Sequence, residues 1–328
     1  MKPLVMGILG VSDHYHRRVR IPAGGLSEVR MKGVASRKLE RAEAAAAAWK
    51  LEKGYGSYDE LLADDEIEAV YIPLPNHMHG EWIKKCADAG KHVLCEKPLE
   101  LDHDRAADAV AYAEAKGIVL MEAFMYRFHP QWIRARELIE IGEIGAPRTI
   151  HTIFGYDLQD PANIRNIRKY GGGAILDIGC YAVSSARFLL GGEPNRAISL
   201  LERHPEFDTD VLASGMLDFG SATSVFTVST NIAPQQKLAV YGTGGSLVVN
   251  VPFNAYPDVP MKVTVETGVG TRELMCGPSD QYAQMFKAFA GAVRNGGPVP
   301  TPPSDALANM KVLDALLRSA ESDGWEPV

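Results

Sequence analysis

The first third of the chain alternates short apolar runs with amphipathic stretches, and this constrains the fold more than any other feature. The apolar runs are Leu4 to Leu9, Arg30 to Ala35, Ala69 to Pro73, His92 to Cys95 and Ile118 to Met121. Most are apolar at successive positions, so they need cover on both faces, as parallel strands do. Between them, Lys38 to Trp49, Glu81 to Ala89 and Asp102 to Lys116 read as helices. The alanines from Ala44 to Ala48 have the highest helix propensity of any residue type. Asp102 is placed as an N-cap, and Gly117 stands where a helix should stop. Strand–helix alternation on this scale predicts a right-handed, doubly wound parallel sheet.

Beyond about residue 125 the pattern changes. After a helix near Gln131–Glu140 come strand-like runs at 148–154, 197–202, 211–218, 223–229, 237–241, 246–250 and 262–266. Short turns such as Gly242-Thr243-Gly244-Gly245 favour antiparallel pairing. Two helices, at 280–294 and 304–322, complete the pattern. At 328 residues the chain is long enough for two cores. The expected division is a dinucleotide-binding α/β domain at 1–125 and, at 126–328, an α+β domain with an open-faced, mostly antiparallel sheet.

Composition narrows the partners. A net charge of −7 without a basic cluster argues against nucleic acid. No uninterrupted apolar run approaches the roughly 18 residues of a membrane span. Met1-Lys2-Pro3 leads straight into an apolar strand, which leaves no room for a secretory leader, so the expected location is cytoplasmic. Cys86, Cys95, Cys180 and Cys276 show no paired spacing and read as buried thiols. His77-x-His79 has the spacing of two metal ligands, but no third ligand stands at a matching interval, so no metal is expected.

The first strand ends in Gly7-Ile8-Leu9-Gly10-Val11-Ser12-Asp13-His14-Tyr15. A glycine turn between the first strand and helix lets backbone N–H groups approach a pyrophosphate. Gly10 supplies the turn, although Ser12 and Tyr15 fill positions where glycine is usual. The second strand runs into Ala35-Ser36-Arg37-Lys38, with no acid to hold a ribose 2′-hydroxyl. Arg37 offers a planar fork and Ser36 a hydroxyl to a 2′-phosphate. NADP(H) is therefore favoured, with NAD(H) the second choice; the plainer alternative is a solvated helix start.

Two further segments carry chemistry. In Cys95-Glu96-Lys97-Pro98-Leu99 a lysine follows an apolar strand, at the sheet edge where open α/β sheets place ligands. The X-Pro bond after it is a place for a fixed turn that aims the lysine. In Gly171-Gly172-Gly173-Ala174-Ile175-Leu176-Asp177-Ile178-Gly179-Cys180-Tyr181, three glycines allow a backbone to approach a ligand closely. Asp177 and Tyr181, four apart, share a face if the segment is helical. A phenol with an ordinary pKa near 10 is a poor base at neutral pH unless a cation stabilises the phenolate, and Lys97 is a candidate for that cation. The bland alternative makes Asp177 a cap and Tyr181 a core residue.

These segments, with Pro75-Asn76-His77-Met78-His79 and Glu122-Ala123-Phe124-Met125-Tyr126-Arg127-Phe128-His129-Pro130, resemble in order the glucose–fructose oxidoreductase/inositol dehydrogenase (Gfo/Idh/MocA) family. The likeness is strongest to its dimeric dihydrodiol dehydrogenase and NADP-dependent D-xylose dehydrogenase branch, and loosest in the last hundred residues. The resemblance implies a Rossmann domain followed by a sheet domain whose exposed face forms a homodimer or homotetramer contact. It implies that Lys97 touches nicotinamide ribose and substrate, that Tyr181 is the acid/base group, and that Asp177 orients the substrate. Cofactor contacts are then expected from Gly7, Gly10, Val11, Ser12, Ser36, Arg37 and Lys38. Further contacts are expected from Pro73, Leu74, Pro75, Asn76, His79, Glu96 and Lys97. Arg127, Phe128 and Arg165 join Asp177 and Tyr181 as expected substrate contacts.

The expected reaction is hydride transfer between nicotinamide and a hydroxyl or carbonyl carbon of a sugar, polyol or diol. Tyr181 would exchange the hydroxyl proton, and the lysine ammonium would stabilise the developing oxyanion. Two alternatives stand beside it. In a reductase of nucleotide-linked 3-keto sugars, the arginines at 165–168 would contact phosphate. A non-catalytic cofactor-binding regulator on the same fold would be marked by a missing lysine or tyrosine.

Overall fold

The computed structural model describes residues 2–328 and divides into two compact units. One runs to Met125 and takes in Tyr282–Leu307; the other comprises Tyr126–Gln281 and Ala308–Val328. The second domain expected at 126–328 thus has residues 282–307 grouped with the first unit.

In the first unit the strands are β1 (Leu4–Leu9), β2 (Val29–Ala35), β3 (Lys53–Tyr55), β4 (Ala69–Ile72), β5 (His92–Cys95) and β6 (Leu120–Glu122). They form one sheet in the order β3-β2-β1-β4-β5-β6, parallel throughout. Every residue of β1, β4 and β6 is buried, which is why these strands read as continuous apolar runs. The helices are α1 (Arg20–Gly24), α2 (Leu39–Trp49), α3 (Tyr58–Leu62), α4 (His79–Asp88) and α5 (His103–Ala115). Asp102 caps α5 by accepting the Arg105 N–H at 2.9 Å, and Gly117 follows in the left-handed region at φ +69°. The chain order reverses between β1 and β4, the crevice where open sheets of this kind bind ligands.

The second unit holds a nine-stranded sheet in the order β14-β13-β12-β11-β7-β10-β9-β8-β15. Its strands are β7 (Pro147–Asp157), β8 (Arg196–Arg203), β9 (Asp210–Asp218), β10 (Thr223–Ser229), β11 (Asn231–Gly242), β12 (Gly245–Val249), β13 (Met261–Thr267), β14 (Gly270–Cys276) and β15 (Glu326–Pro327). Pairing is antiparallel except between β7 and β10. Helices α6 (Pro130–Glu140) and α7 (Cys180–Leu190) belong to this unit; α8 (Gln281–Asn295) and α9 (Pro303–Ser322) complete the set. Alternate residues of the sheet turn inward: Ile150, Thr152 and Phe154 are buried, whereas His151 is exposed. Leu200 and Tyr241 remain exposed at 75% and 44%.

Arg168–Leu190 is long and apolar enough, by composition, to cross a membrane, yet 89% of its apolar window is buried. It is a core segment of its unit, and within it a π-helical turn at Ile175–Gly179 runs on into α7.

Candidate active site

In the first unit the site gathers at the carboxyl ends of β1, β2, β4 and β5. Gly10 has φ +99°, open to glycine without strain, and its N–H donates to Ala35 O at 3.0 Å. This bond holds the glycine turn against the Ser36-Arg37-Lys38 segment. A side chain on Gly7 would lie 2.6 Å from Leu61, so that glycine serves helix–sheet packing. Ser12 Oγ accepts the Tyr15 N–H at 3.4 Å, and Ser12 O accepts the His16 N–H at 3.1 Å. Arg41 ties α2 to the same turn, donating to Val11 O at 3.1 Å. Ser36 is buried, and its Oγ accepts the Lys38 N–H at 3.4 Å. Arg37 and Lys38 stay exposed.

Tyr15, bulky for its position, is accommodated. The helix after the turn opens with a π-helical segment, Tyr15–Val19, and the phenol ring is 1% exposed between Trp49 and Tyr71, at 4.9 and 6.1 Å. Trp49 Nε1 donates to His16 Nδ1 at 2.9 Å. His14 turns toward the lysine segment: its Nε2 lies 3.3 Å from Glu96 Oε1, and its ring meets Tyr282 edge-on at 5.7 Å. The sequence assigned no role to His14 or Tyr71, and the nearest signal was Tyr15 at a position where glycine is usual.

Glu96 and Lys97 follow β5, and the Lys97–Pro98 peptide is cis. Tyr71 OH donates to Glu96 Oε1 at 2.5 Å. Burial alone would raise the Glu96 carboxyl. The His14 ring, the Tyr71 hydroxyl and the Lys97 ammonium outweigh it and hold the group down at about 2. Glu96 is therefore a fixed anion beside Lys97. His79 is fully buried, with Nδ1 2.9 Å from Pro98 O and Nε2 2.9 Å from Leu74 O. It braces the Pro73-Leu74-Pro75 loop and the lysine loop from behind, and burial lowers its pKa. Asn76 opens a short 3₁₀ turn between that loop and α4.

In the second unit, Asp177 and Tyr181 share the inner face of the helix at 175–190. Arg165 Nε donates to Asp177 Oδ1 at 3.1 Å, and Tyr156 OH donates to Asp177 Oδ2. The Asp177 charge raises the Arg165 guanidinium further, and burial together with that carboxylate raises the Tyr156 phenol. Arg165 also interacts electrostatically with Tyr181. Among the described residues its two terminal nitrogens have no protein acceptor, whereas Arg168 pairs with Asp208 at the surface. Tyr181 is 6% exposed, ringed by Phe253, Phe154 and Tyr126 at 5.2, 5.7 and 5.9 Å.

Two further segments singled out in the sequence are held by protein contacts. Arg127 is bound to α7: Nη2 donates to Ser184 Oγ at 2.8 Å, Nε donates to Tyr126 OH at 3.3 Å, and the guanidinium lies over Phe188. Phe128 is half-buried next to it. The glycine triplet approaches the protein itself. A side chain on Gly172 would strike Arg165 O at 2.4 Å, and one on Gly173 would strike Asp210. Tyr156 was missed because a tyrosine near a strand end reads as ordinary β-sheet composition. Among the described residues, no three His, Cys, Asp or Glu side chains gather as a metal site.

Compared with known proteins, residues 2–124 match the model of an oxidoreductase family with an NAD-binding Rossmann fold, and residues 132–248 match the GFO/IDH/MocA C-terminal domain. The chain is 40% identical to the uncharacterized oxidoreductase ORF334 of Rhizobium meliloti, covering 98% of each chain. It is 39% identical to D-xylose 1-dehydrogenase (NADP(+)) 2 of Haloferax volcanii, over 97% of this chain and 98% of that one. Among solved structures it is similar to KijD10, a 3-ketoreductase from Actinomadura kijaniata in complex with NADP and TDP-benzene. The TM-score is 0.91 at 30% identity, covering 97% of this chain and 98% of the other.

Proposed function

The chain belongs to the Gfo/Idh/MocA oxidoreductases, and on that premise we propose that it transfers hydride between NADP(H) and a hydroxyl-bearing carbon of a sugar, polyol or diol. The donor set fits the cofactor. The Gly10 turn leaves no side chain in the way of a pyrophosphate, and Ser36, Arg37 and Lys38 offer a hydroxyl and two cations to a 2′-phosphate. When bound, the nicotinamide supplies a hydride acceptor or donor. In our reading Tyr181 takes or returns the hydroxyl proton, and Lys97 holds the oxygen on which negative charge develops.

Asp177 carries this reading. With one oxygen held by Arg165 and the other by Tyr156, it is fixed as an acceptor for a substrate hydroxyl, one helical turn before Tyr181. A phenol serves as base at neutral pH only where cations stabilise its anion, and Arg165, which interacts electrostatically with Tyr181 in the same unit, is a cation available to do so. Support also comes from KijD10, solved with a lysine changed to alanine or glutamate and with a tyrosine changed to phenylalanine. Those two residues stand at the same separation along that chain as Lys97 and Tyr181 do here.

The likeness to a 3-ketoreductase favours a second reading, in which the substrate is a nucleotide-linked keto sugar. The Arg168–Asp208 pair weighs against it, because one of the arginines that would meet a phosphate is already engaged. A cofactor-coupled absorbance screen of aldoses, polyols, diols and nucleotide-linked keto sugars, with NADP(H) and NAD(H), tests both. The first reading expects turnover of a free sugar or diol with at least about tenfold preference for NADP(H), the value of one charged contact. Turnover confined to nucleotide sugars would replace it with the second, and cofactor binding without turnover of any compound in the screen would contradict both.

A further inference from the structure

We propose that Asp210 is the positioning residue for the acid–base helix: its carboxylate is the seat that fixes the head of the segment carrying Asp177 and Tyr181. The inference rests on the reading of Tyr181 as the proton-exchanging group. Asp210 is the first residue of β9 and is 5% exposed. Its Oδ2 accepts the Ile175 N–H at 2.6 Å, so a group rooted in the sheet satisfies one of the donors that every helix start leaves open. The fit extends to Gly173, which has φ +119°; a Cβ there would stand 2.0 Å from Asp210 Oδ1. Two features of the sequence, a glycine whose backbone conformation and lack of a side chain the contact requires and an acid at a strand start, thus meet in one contact.

The same seat reaches Asp177 from its other side. Gly173 N–H donates to Arg165 O at 2.9 Å, Gly172 lies against that carbonyl, and Arg165 Nε holds Asp177 Oδ1. Gly173 O in turn accepts the Asp177 N–H at 3.0 Å. Fixing Gly173 therefore fixes both the backbone of Asp177 and the cation paired with its side chain. Tyr181 follows one turn later on the continuous helix, so a slide or rotation at residues 173–175 moves the phenol. Misplacement by about 1 Å costs roughly a hundredfold in rate.

A buried carboxylate is expensive unless hydrogen-bonded, and a neutral acceptor would cap the helix as well. Burial raises the Asp210 carboxyl to about 6, against the opposing backbone N–H bonds and the Arg203 guanidinium. The acceptor oxygen is what the seat requires, and asparagine supplies one.

The test compares Asp210→Ala with Asp210→Asn in the full-length protein, each with and without Tyr181→Phe, assayed with D-xylose or whichever sugar of the screen turns over fastest. In Asp210→Ala, amide hydrogen exchange across residues 174–181 should quicken at least about tenfold, as expected when a local cap is lost. NADPH affinity, read by fluorescence, should stay within twofold, kcat should fall about thirtyfold, and sugar KM should change little. Asp210→Asn should retain kcat within about threefold, the small effect of an exchange that keeps the acceptor. In the Tyr181→Phe background Asp210→Ala should add no further loss, because both act on one group. Unchanged exchange, an undiminished kcat, or equal losses in both backgrounds would overturn the proposal. Should Asp210→Ala not fold, a folded Asp210→Asn with a tenfold loss would overturn it equally. Normal turnover of Tyr181→Phe alone would instead sink the acid–base reading, while the exchange comparison would still decide the seat.

Discussion

The chain has two glycine-rich segments, and they do different work. At Gly7 to Gly10 a single left-handed glycine turns the backbone at the end of β1, with its N–H group tied to Ala35 and the basic Arg37 and Lys38 close by. At Gly171 to Gly173 the missing side chains make room for the protein's own Arg165 carbonyl and Asp210 carboxylate. Glycine permits close approach in both. What approaches is decided by residues far away in sequence: β2 in one case and β9 in the other. A glycine cluster is therefore evidence for a tight contact, and its partner has to be found before it is called a ligand site.

The sharpest way to break this comparison is to add one methyl group to each. Gly173→Ala should lose about 3–5 kcal/mol in denaturant unfolding, since an L-residue at φ +119° is strained and its Cβ would overlap Asp210. Its folded fraction should still bind NADPH. A loss under 1 kcal/mol would contradict the seat.

Next comes pH. Asp210 titrates near 6 in the folded protein against an ordinary 3.8, so the native state holds this proton more tightly than the unfolded chain. Its contribution to stability is fully present below about 3.8 and is lost as pH rises through 6, a span of at most roughly 3 kcal/mol. Asp210→Asn should remove that slope, so its Tm should gain on the wild type between pH 4 and pH 7. Parallel Tm curves would show that Asp210 does not titrate there.

Smaller effects should appear at the first segment. Arg37→Ala is expected to weaken NADPH by about 2 kcal/mol while leaving NADH nearly unchanged, measured by fluorescence titration. Equal losses for both cofactors would remove Arg37 from the 2′-phosphate. Gly10→Ala should lower stability by only about 1–2 kcal/mol, because the nearest obstacle at 2.8 Å is the flexible end of Leu74. It should nonetheless weaken both cofactors.

Sequence and structure agree best where burial is local in cause. Leu4–Leu9 and His92–Cys95 are strands at the expected bounds, because runs covered on both faces show in composition. β3 and α3 were missed: Lys53-Gly54-Tyr55 is too short and too polar to register, and Tyr58–Leu62 is five residues long. β14 was missed because Thr271-Arg272-Glu273 is an exposed edge, where no apolar pattern is required. Of the proposed site, Lys97 stood out in the sequence by its place after an apolar strand, and Asp177 and Tyr181 by their spacing of four. Tyr156, His14 and Asp210 did not, since each is defined by a partner 21, 82 or 35 residues away and none belongs to a local motif.

The account stands on proton exchange at Tyr181, and the most direct measurement is kcat for Tyr181→Phe on the best substrate of the screen, alongside NADPH affinity. The account predicts a fall of about a thousandfold in kcat with affinity unchanged, the scale of losing a general acid–base group. Turnover within tenfold of the wild type would contradict it.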